Sequence, residues 1–157
     1  MHRSEATISV FDSGFLVGDG VWEGIRLHHG RFAFLDRHLD RLYGGARAID
    51  LDIGLSRDEL TDRLHETTAA NDMTDAVHVR LMVTRGEKKT PSQHPANIIS
   101  GPTIVIIAEH KTANPDVLRH GIRLFTATIR RPPPVPQQTG DGGLRKGQGT
   151  HRIVISA

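Results

Sequence analysis

Phe11-Asp12-Ser13-Gly14-Phe15-Leu16-Val17-Gly18-Asp19-Gly20-Val21-Trp22-Glu23-Gly24-Ile25-Arg26 is a glycine-punctuated loop that runs straight into an alternating segment. Gly14, Gly18 and Gly20 give the backbone access to positive φ and to close approach, so the loop can fold tightly. The segment after it has the two-residue period of a strand, in which neighbours point to opposite faces. Its inward set is either Val21, Glu23 and Ile25 or Trp22, Gly24 and Arg26. Both readings bring an aromatic ring, a carboxylate and a guanidinium to one end of a sheet.

Outward from this stretch the pattern alternates between the two periods. Thr7 to Phe11 alternates and reads as a short strand, and Val21 to Leu27 as a second. His28-His29-Gly30 supplies a turn into Phe32-Ala33-Phe34, which makes a hairpin. From Asp36 the period becomes helical, with Leu35, Leu39, Leu42, Ala46 and Ile49 on one face. Gly44 and Gly45 inside that helix each cost about 1 kcal/mol relative to alanine, which points to a close packing contact there. Ser56-Arg57-Asp58-Glu59 has the S-x-x-E form of a capping box and opens a second helix, with Leu60 and Leu64 on its buried face.

Val77 to Thr84 alternates strongly and reads as a strand. Arg85 to Gly101 is a polar excursion containing proline and glycine. Thr103 to Ala108 is a nearly continuous apolar run, as in a central strand, and Ile122 to Ile129 reads as another strand. Helices grouped between antiparallel strands predict an α+β fold, a two-layer antiparallel sheet with two packed helices. Residues 1–131 form that domain. Residues 132–157 read as a proline- and glycine-rich linker and the start of a further domain, in which Ile153-Val154-Ile155 begins one more element.

Composition narrows the function classes. The chain of 157 residues can bury a core of its own. Cysteine is absent, which removes disulfides and thiolate nucleophiles. Net charge is +2, with opposite signs mixed along the chain and no basic block, so a nucleic-acid partner is not expected. No apolar run approaches the ~20 residues of a membrane span, and no secretory leader pattern is visible. The expectation is a cytoplasmic protein without a membrane partner. The ten histidines are scattered, and no pair shares one element with a nearby carboxylate, so no metal site is expected.

Arg41 is the leading candidate for chemistry. A guanidinium fork suits a phosphate through paired, charge-assisted hydrogen bonds, and the plainer reading is a surface ion pair with Asp40 or Asp36. A tryptophan in a strand, such as Trp22, is more often core than a substrate wall, and an alternating Glu23/Arg26 pair is more often a cross-strand ion pair. His78 and Arg80 are two polar residues on one strand face.

Taken together, the Phe11–Arg26 stretch, Arg37-His38-Leu39-Asp40-Arg41-Leu42 and His78-Val79-Arg80 resemble the class IV aminotransferases, the fold-type IV pyridoxal-phosphate enzymes. The resemblance runs from about Ile8 to Arg131. It implies a homodimer with pyridoxal 5′-phosphate as cofactor, moving an amino group between an amino acid, of the branched-chain class, and a 2-oxo acid. Arg41 then holds the cofactor's 5′-phosphate, Trp22 and Arg80 face the substrate, and Glu23 belongs to a structural hydrogen-bonded set. Trp22 stands where the family has phenylalanine or tyrosine, and His78 where it has tyrosine. Arg85 to Pro95 corresponds to the variable loop that reaches across the dimer.

The reaction also needs a lysine that holds the cofactor and moves the Cα proton. Of the four lysines, Lys88, Lys89, Lys111 and Lys146, only Lys146 falls near the family's catalytic position. The sequence after it, Gly147-Gln148-Gly149-Thr150, departs from the family pattern. The family's later domain supplies the carboxylate partner of the pyridine nitrogen, and the expectation is an aminotransferase by family whose activity in this chain is incomplete. A non-catalytic N-terminal domain and an aminodeoxychorismate lyase of the same fold are the alternatives.

Overall fold

The computed structural model describes residues 3–126 and 152–156. It contains β1 (Gly20–His28), β2 (Arg31–Phe32), β3 (Val77–Thr84), β4 (Thr103–His110) and β5 (Arg152–Ser156), in the sheet order β2-β1-β3-β4-β5. The helices are α1 (Ser13–Val17), α2 (Leu35–Ala48), α3 (Arg57–Ala69) and α4 (Pro115–His120). Strands β1 to β4 pair antiparallel, as the hairpin and alternation predict. β5 departs from that plan by joining β4 in parallel.

One face of the sheet carries the core. Ile25, Leu27, Val77, Val79, Leu81, Val83, Ile104, Ile106 and Ala108 are buried against Leu39, Leu42 and Ala46 of α2 and Leu60 and Leu64 of α3. β3 alternates buried and half-buried residues along its whole length, the mark of a strand with one covered face. Burying a leucine such as Leu60 or Leu64 completely contributes about 1.5–3 kcal/mol relative to exposure. α3 opens with the full capping box: the Ser56 hydroxyl accepts from Glu59 N–H, and the Glu59 carboxylate accepts from Ser56 N–H. The buried threonines of this helix return their hydroxyls to its own carbonyls, as Thr67 does to Arg63 at 2.7 Å, so no hydroxyl is buried without a partner there.

Three local expectations change. Thr7 to Phe11 forms no strand, because turn chemistry takes over: Ser9 Oγ accepts from Phe11 N–H, and Asp12 caps α1 by accepting from Gly14 N–H. α1 ends on Gly18 at φ 69°, a left-handed cap that glycine enters without steric cost. Residues 121–126 are not a strand either, since β5 takes the edge of β4; the rest of that expected strand lies outside the described residues. In α2, a Cβ at Gly45 would sit 3.4 Å from Val21, an ordinary contact, and Gly44 has no tight neighbour. The close approach lies instead at the start of β1, where a Cβ on Gly20 would stand 2.6 Å from the Val83 carbonyl oxygen. Among the described residues no helix is long and apolar enough to cross a membrane.

Candidate functional site

β1 resolves the two-way reading of its own alternation. Glu23, Ile25 and Leu27 turn toward the helices, and Trp22, Gly24 and Arg26 lie on the opposite, open face. Two polar clusters follow, one on each side of the strand.

On the helix side Glu23 is buried at 3% exposure and is surrounded by donors from α2. Arg41 Nε donates to Glu23 Oε1 at 2.7 Å and Arg41 Nη2 to Oε2 at 2.5 Å. His38 Nδ1 lies 2.8 Å from the same Oε2. Burial alone pushes the Glu23 carboxyl up, but the hydrogen bonds and charges of Arg41 and His38 outweigh it and hold the group below the ordinary carboxylate range. Arg41 in turn is raised by its hydrogen bond to Glu23. Arg41 therefore pairs with neither Asp36 nor Asp40; Asp40 is held by Arg57.

The Arg41 side chain is still 68% exposed, and with Phe34, Arg37 and His38 it lines a hollow of about 230 Å³. Phe34 sits at φ 52°, an uncommon conformation for a bulky side chain, and Arg37 stacks 5.8 Å from its ring centre. Strain of this kind tends to persist where a site requires it. Two guanidinium groups and an imidazole around one hollow, with Arg41 Nη1 outside the Glu23 pair, suit the size and charge of a phosphate group.

On the open face the register places Trp22 opposite Met82, Gly24 opposite Arg80 and Arg26 opposite His78. The Arg80 guanidinium lies 4.1 Å from the centre of the Trp22 ring, close enough for cation–π attraction. Gly24 leaves room for His78, whose Nε2 would stand 3.1 Å from a Cβ there. His78 is shifted down, first by burial and then by the charges of Lys111, Arg80 and Arg26, against an opposing pull from Glu109. Beside Trp22 a larger hollow of about 510 Å³ opens between residues 8–20 and the ends of β3 and β4, lined by apolar groups such as Val10, Phe15, Met82 and Val105.

The structure thus brings Trp22 and Arg80 together and puts Arg41 on the other side of β1. Lys146 lies outside the described residues. Lys88, one of the other lysines, is 1% exposed, and its Nζ has no hydrogen-bond partner among the described residues. Sequence reasoning missed two positioning residues. His38 could have been found from its three-residue spacing to Arg41 on one helix. Arg85 could not: it holds Asp19 through Nε and Nη2 and donates to the carbonyls of Ile49 and Asp50, partners 35 to 66 residues away.

Comparison with known proteins bears on the family and the fold. The family model for amino-transferase class IV matches residues 20–139. A branched-chain-amino-acid aminotransferase-like protein of Arabidopsis thaliana is 42% identical over 134 residues, covering 84% of this chain and 24% of that protein. The branched-chain amino acid aminotransferase of Escherichia coli superposes with a TM-score of 0.72 at 23% identity, over 83% of this chain and 44% of the other. A second branched-chain amino acid aminotransferase, from T.th. and solved with N-(5′-phosphopyridoxyl)-L-glutamate, superposes with a TM-score of 0.54 at 25% identity, over 60% of this chain and 33% of the other. The chain spans about a quarter of the length of the Arabidopsis relative and under half of the Escherichia coli enzyme. Sequence, sheet topology and the family match converge, and the chain belongs to the class IV aminotransferases.

Proposed function

We propose that this chain is the substrate-facing part of a pyridoxal-phosphate-dependent aminotransferase that works between an amino acid, of the branched-chain class, and a 2-oxo acid. The observation that carries the reading is the set of Glu23, His38 and Arg41 beside Arg37. A buried carboxylate fixes one edge of the Arg41 guanidinium, while the rest of that side chain stays open to solvent in a cationic hollow. An arginine held in this way gives up little conformational freedom when it takes a second anion. Arg41 would hold the cofactor's 5′-phosphate, with Arg37 adding charge.

Bound pyridoxal phosphate supplies an electron sink for charge developing at the substrate Cα. Lys146 is the residue assigned to hold the cofactor covalently and to move the Cα proton. On the open face Trp22 offers a flat apolar wall, and Arg80, steadied over its ring, a partner for a substrate carboxylate. The downward shift of His78 favours its neutral form, so Lys111, Arg80 and Arg26 carry the positive charge around it. The apolar hollow beside Trp22 and the name of the Arabidopsis relative support a branched-chain substrate. A homodimer in the cytoplasm, with small-molecule partners, belongs to the same reading.

The test is a reductive trap. The purified chain is mixed with pyridoxal phosphate and reduced with borohydride, and the labelled peptide is mapped by mass spectrometry. Stoichiometric label on Lys146, lost in Arg41→Ala, is the expected result. Label spread over the accessible lysines, or none, would instead favour a non-catalytic domain of this family.

A further inference from the structure

β1 ends at His28, and His29 opens the turn that follows, where the strand alternation of faces no longer applies. His29 lies at φ 47° and Gly30 at φ 75°, the left-handed pair that closes a two-residue hairpin turn. Asparagine, aspartate and glycine dominate such positions, so a histidine there is unusual. The turn brings the two imidazoles together, with ring centres 4.0 Å apart.

Asp75, on the connection from α3 to β3, meets both rings. Its Oδ1 is 2.8 Å from His28 Nδ1, and its Oδ2 is 3.6 Å from His29 Nδ1. The carboxylate is fixed from the backbone as well, since His29 N–H donates to Oδ1 at 2.9 Å. One residue on, Gly30 N–H donates to the Thr74 carbonyl at 2.7 Å, so hairpin and connection are clipped together. One ligand atom from each of the three side chains lies within 4.8 Å of the others. The expectation that no carboxylate accompanies a histidine pair rested on neighbours in sequence, and Asp75 is 46 positions from His29.

We propose that His28, His29 and Asp75 form a surface binding site for a divalent transition-metal ion of the zinc class. Zinc takes imidazole nitrogen at about 2.0–2.1 Å and carboxylate oxygen at about 2.0–2.2 Å. Two ligand atoms of a tetrahedral ion at those lengths stand about 3.3–3.5 Å apart. Here the one ligand atom from each side chain lies within 4.8 Å of the others, and the two histidines face different oxygens of Asp75, Oδ1 for His28 and Oδ2 for His29. Small rotations of exposed rings bridge the difference, since the side chains are 66% and 77% exposed. The same exposure leaves the fourth position to water. Two imidazoles and one carboxylate favour zinc, nickel or copper over magnesium and calcium, which require mainly oxygen. The ion would tie the β1–β2 hairpin to the α3–β3 connection, closing a loop that hydrogen bonds alone now close.

The test is calorimetric titration of the tag-free chain with zinc chloride, alongside His29→Ala and Asp75→Asn. The wild type should bind one equivalent in a saturable isotherm. At a free zinc concentration a hundredfold above Kd its Tm should rise by about 5–10 °C. His29→Ala and Asp75→Asn should each weaken binding by at least about tenfold. The Tm of each variant in chelator is the baseline against which its own zinc-induced shift is read, since His29 also packs on the His28 ring. Zinc binding by both variants as tight as in the wild type would place the ion on other histidines and overturn the assignment. So would the absence of a saturable isotherm, or magnesium binding as tight as zinc. None of these variants touches Arg41, Trp22 or Arg80, so the outcome is separate from that of the reductive trap.

Discussion

Arg41 of α2 grips Glu23 of β1 through two parallel nitrogen–oxygen contacts of 2.7 and 2.5 Å, tying the helix layer to the sheet across 18 residues of chain. The pair is asymmetric. The carboxylate is buried and the arginine side chain is two-thirds exposed, so the same arginine is anchored at one edge and open to solvent elsewhere. Removing the carboxylate should therefore affect both the fold and the anion site.

Glu23→Gln keeps the shape and removes the charge. It should lower stability by about 2 kcal/mol through the loss of charge-assisted bonds, measured as a shift of the urea midpoint with an unchanged slope. Affinity for pyridoxal phosphate should fall with it, by fluorescence titration, because Arg41 is no longer held in place. A variant as stable as the wild type would show that the pair contributes nothing to the fold.

The pH dependence has a defined sign. Burial raises the Glu23 carboxyl, and the bonds and charges from Arg41 and His38 bring it below its ordinary value. The unfolded chain then binds more protons than the folded one in this window. The stabilisation is complete above the unfolded carboxylate pKa of about 4.3 and is lost as pH falls through the lower folded value. Urea midpoints taken between neutral pH and pH 3 should decline more steeply for the wild type than for Glu23→Gln. Parallel curves would remove Glu23 as the source.

Arg85 joins the glycine loop to the end of α2 by a paired contact with Asp19, at 2.8 and 3.1 Å, and by two carbonyl contacts. A lysine has one nitrogen and cannot reproduce a planar fork. Arg85→Lys should cost about 2 kcal/mol and speed proteolytic cleavage within residues 13–20. Unchanged cleavage would mean that the loop is held by its other contacts, such as that of Ser13 N–H to the Gly86 carbonyl.

The chain has one tryptophan, so intrinsic fluorescence reports the open face directly. Adding 4-methyl-2-oxopentanoate in the presence of pyridoxal phosphate should change Trp22 emission. Arg80→Ala should weaken that response by about tenfold or more through loss of a charged partner, while changing stability by less than about 1 kcal/mol. A response indifferent to Arg80 would move the carboxylate site elsewhere.

The elements that could be read from sequence are those whose signal is local. β3 follows the alternation of Val77 to Thr84 residue for residue, and α3 begins where Ser56 and Glu59 form their capping box. The buried faces of α2 and α3 follow from the helical spacing of Leu39, Leu42 and Ala46 and of Leu60 and Leu64. The expectation over Thr7 to Phe11 failed because an alternating pattern forms a strand only when a neighbour offers an edge, and there the turn bonds of Ser9 and Asp12 prevailed.

By itself the sequence determined the period of β3, the buried faces of α2 and α3, the capping box of α3 and the family, because each is carried by short local patterns. Tertiary structure alone decided which face of β1 is inside, and hence that Glu23 meets Arg41 while Trp22 meets Arg80. It also decided that β5 lies parallel to β4, and that Asp75 stands between His28 and His29. The physical reason is common to all three. Side chains on segments remote along the chain meet only after the apolar faces of sheet and helices have been buried, and the geometry of that burial is set by the whole fold rather than by any one segment.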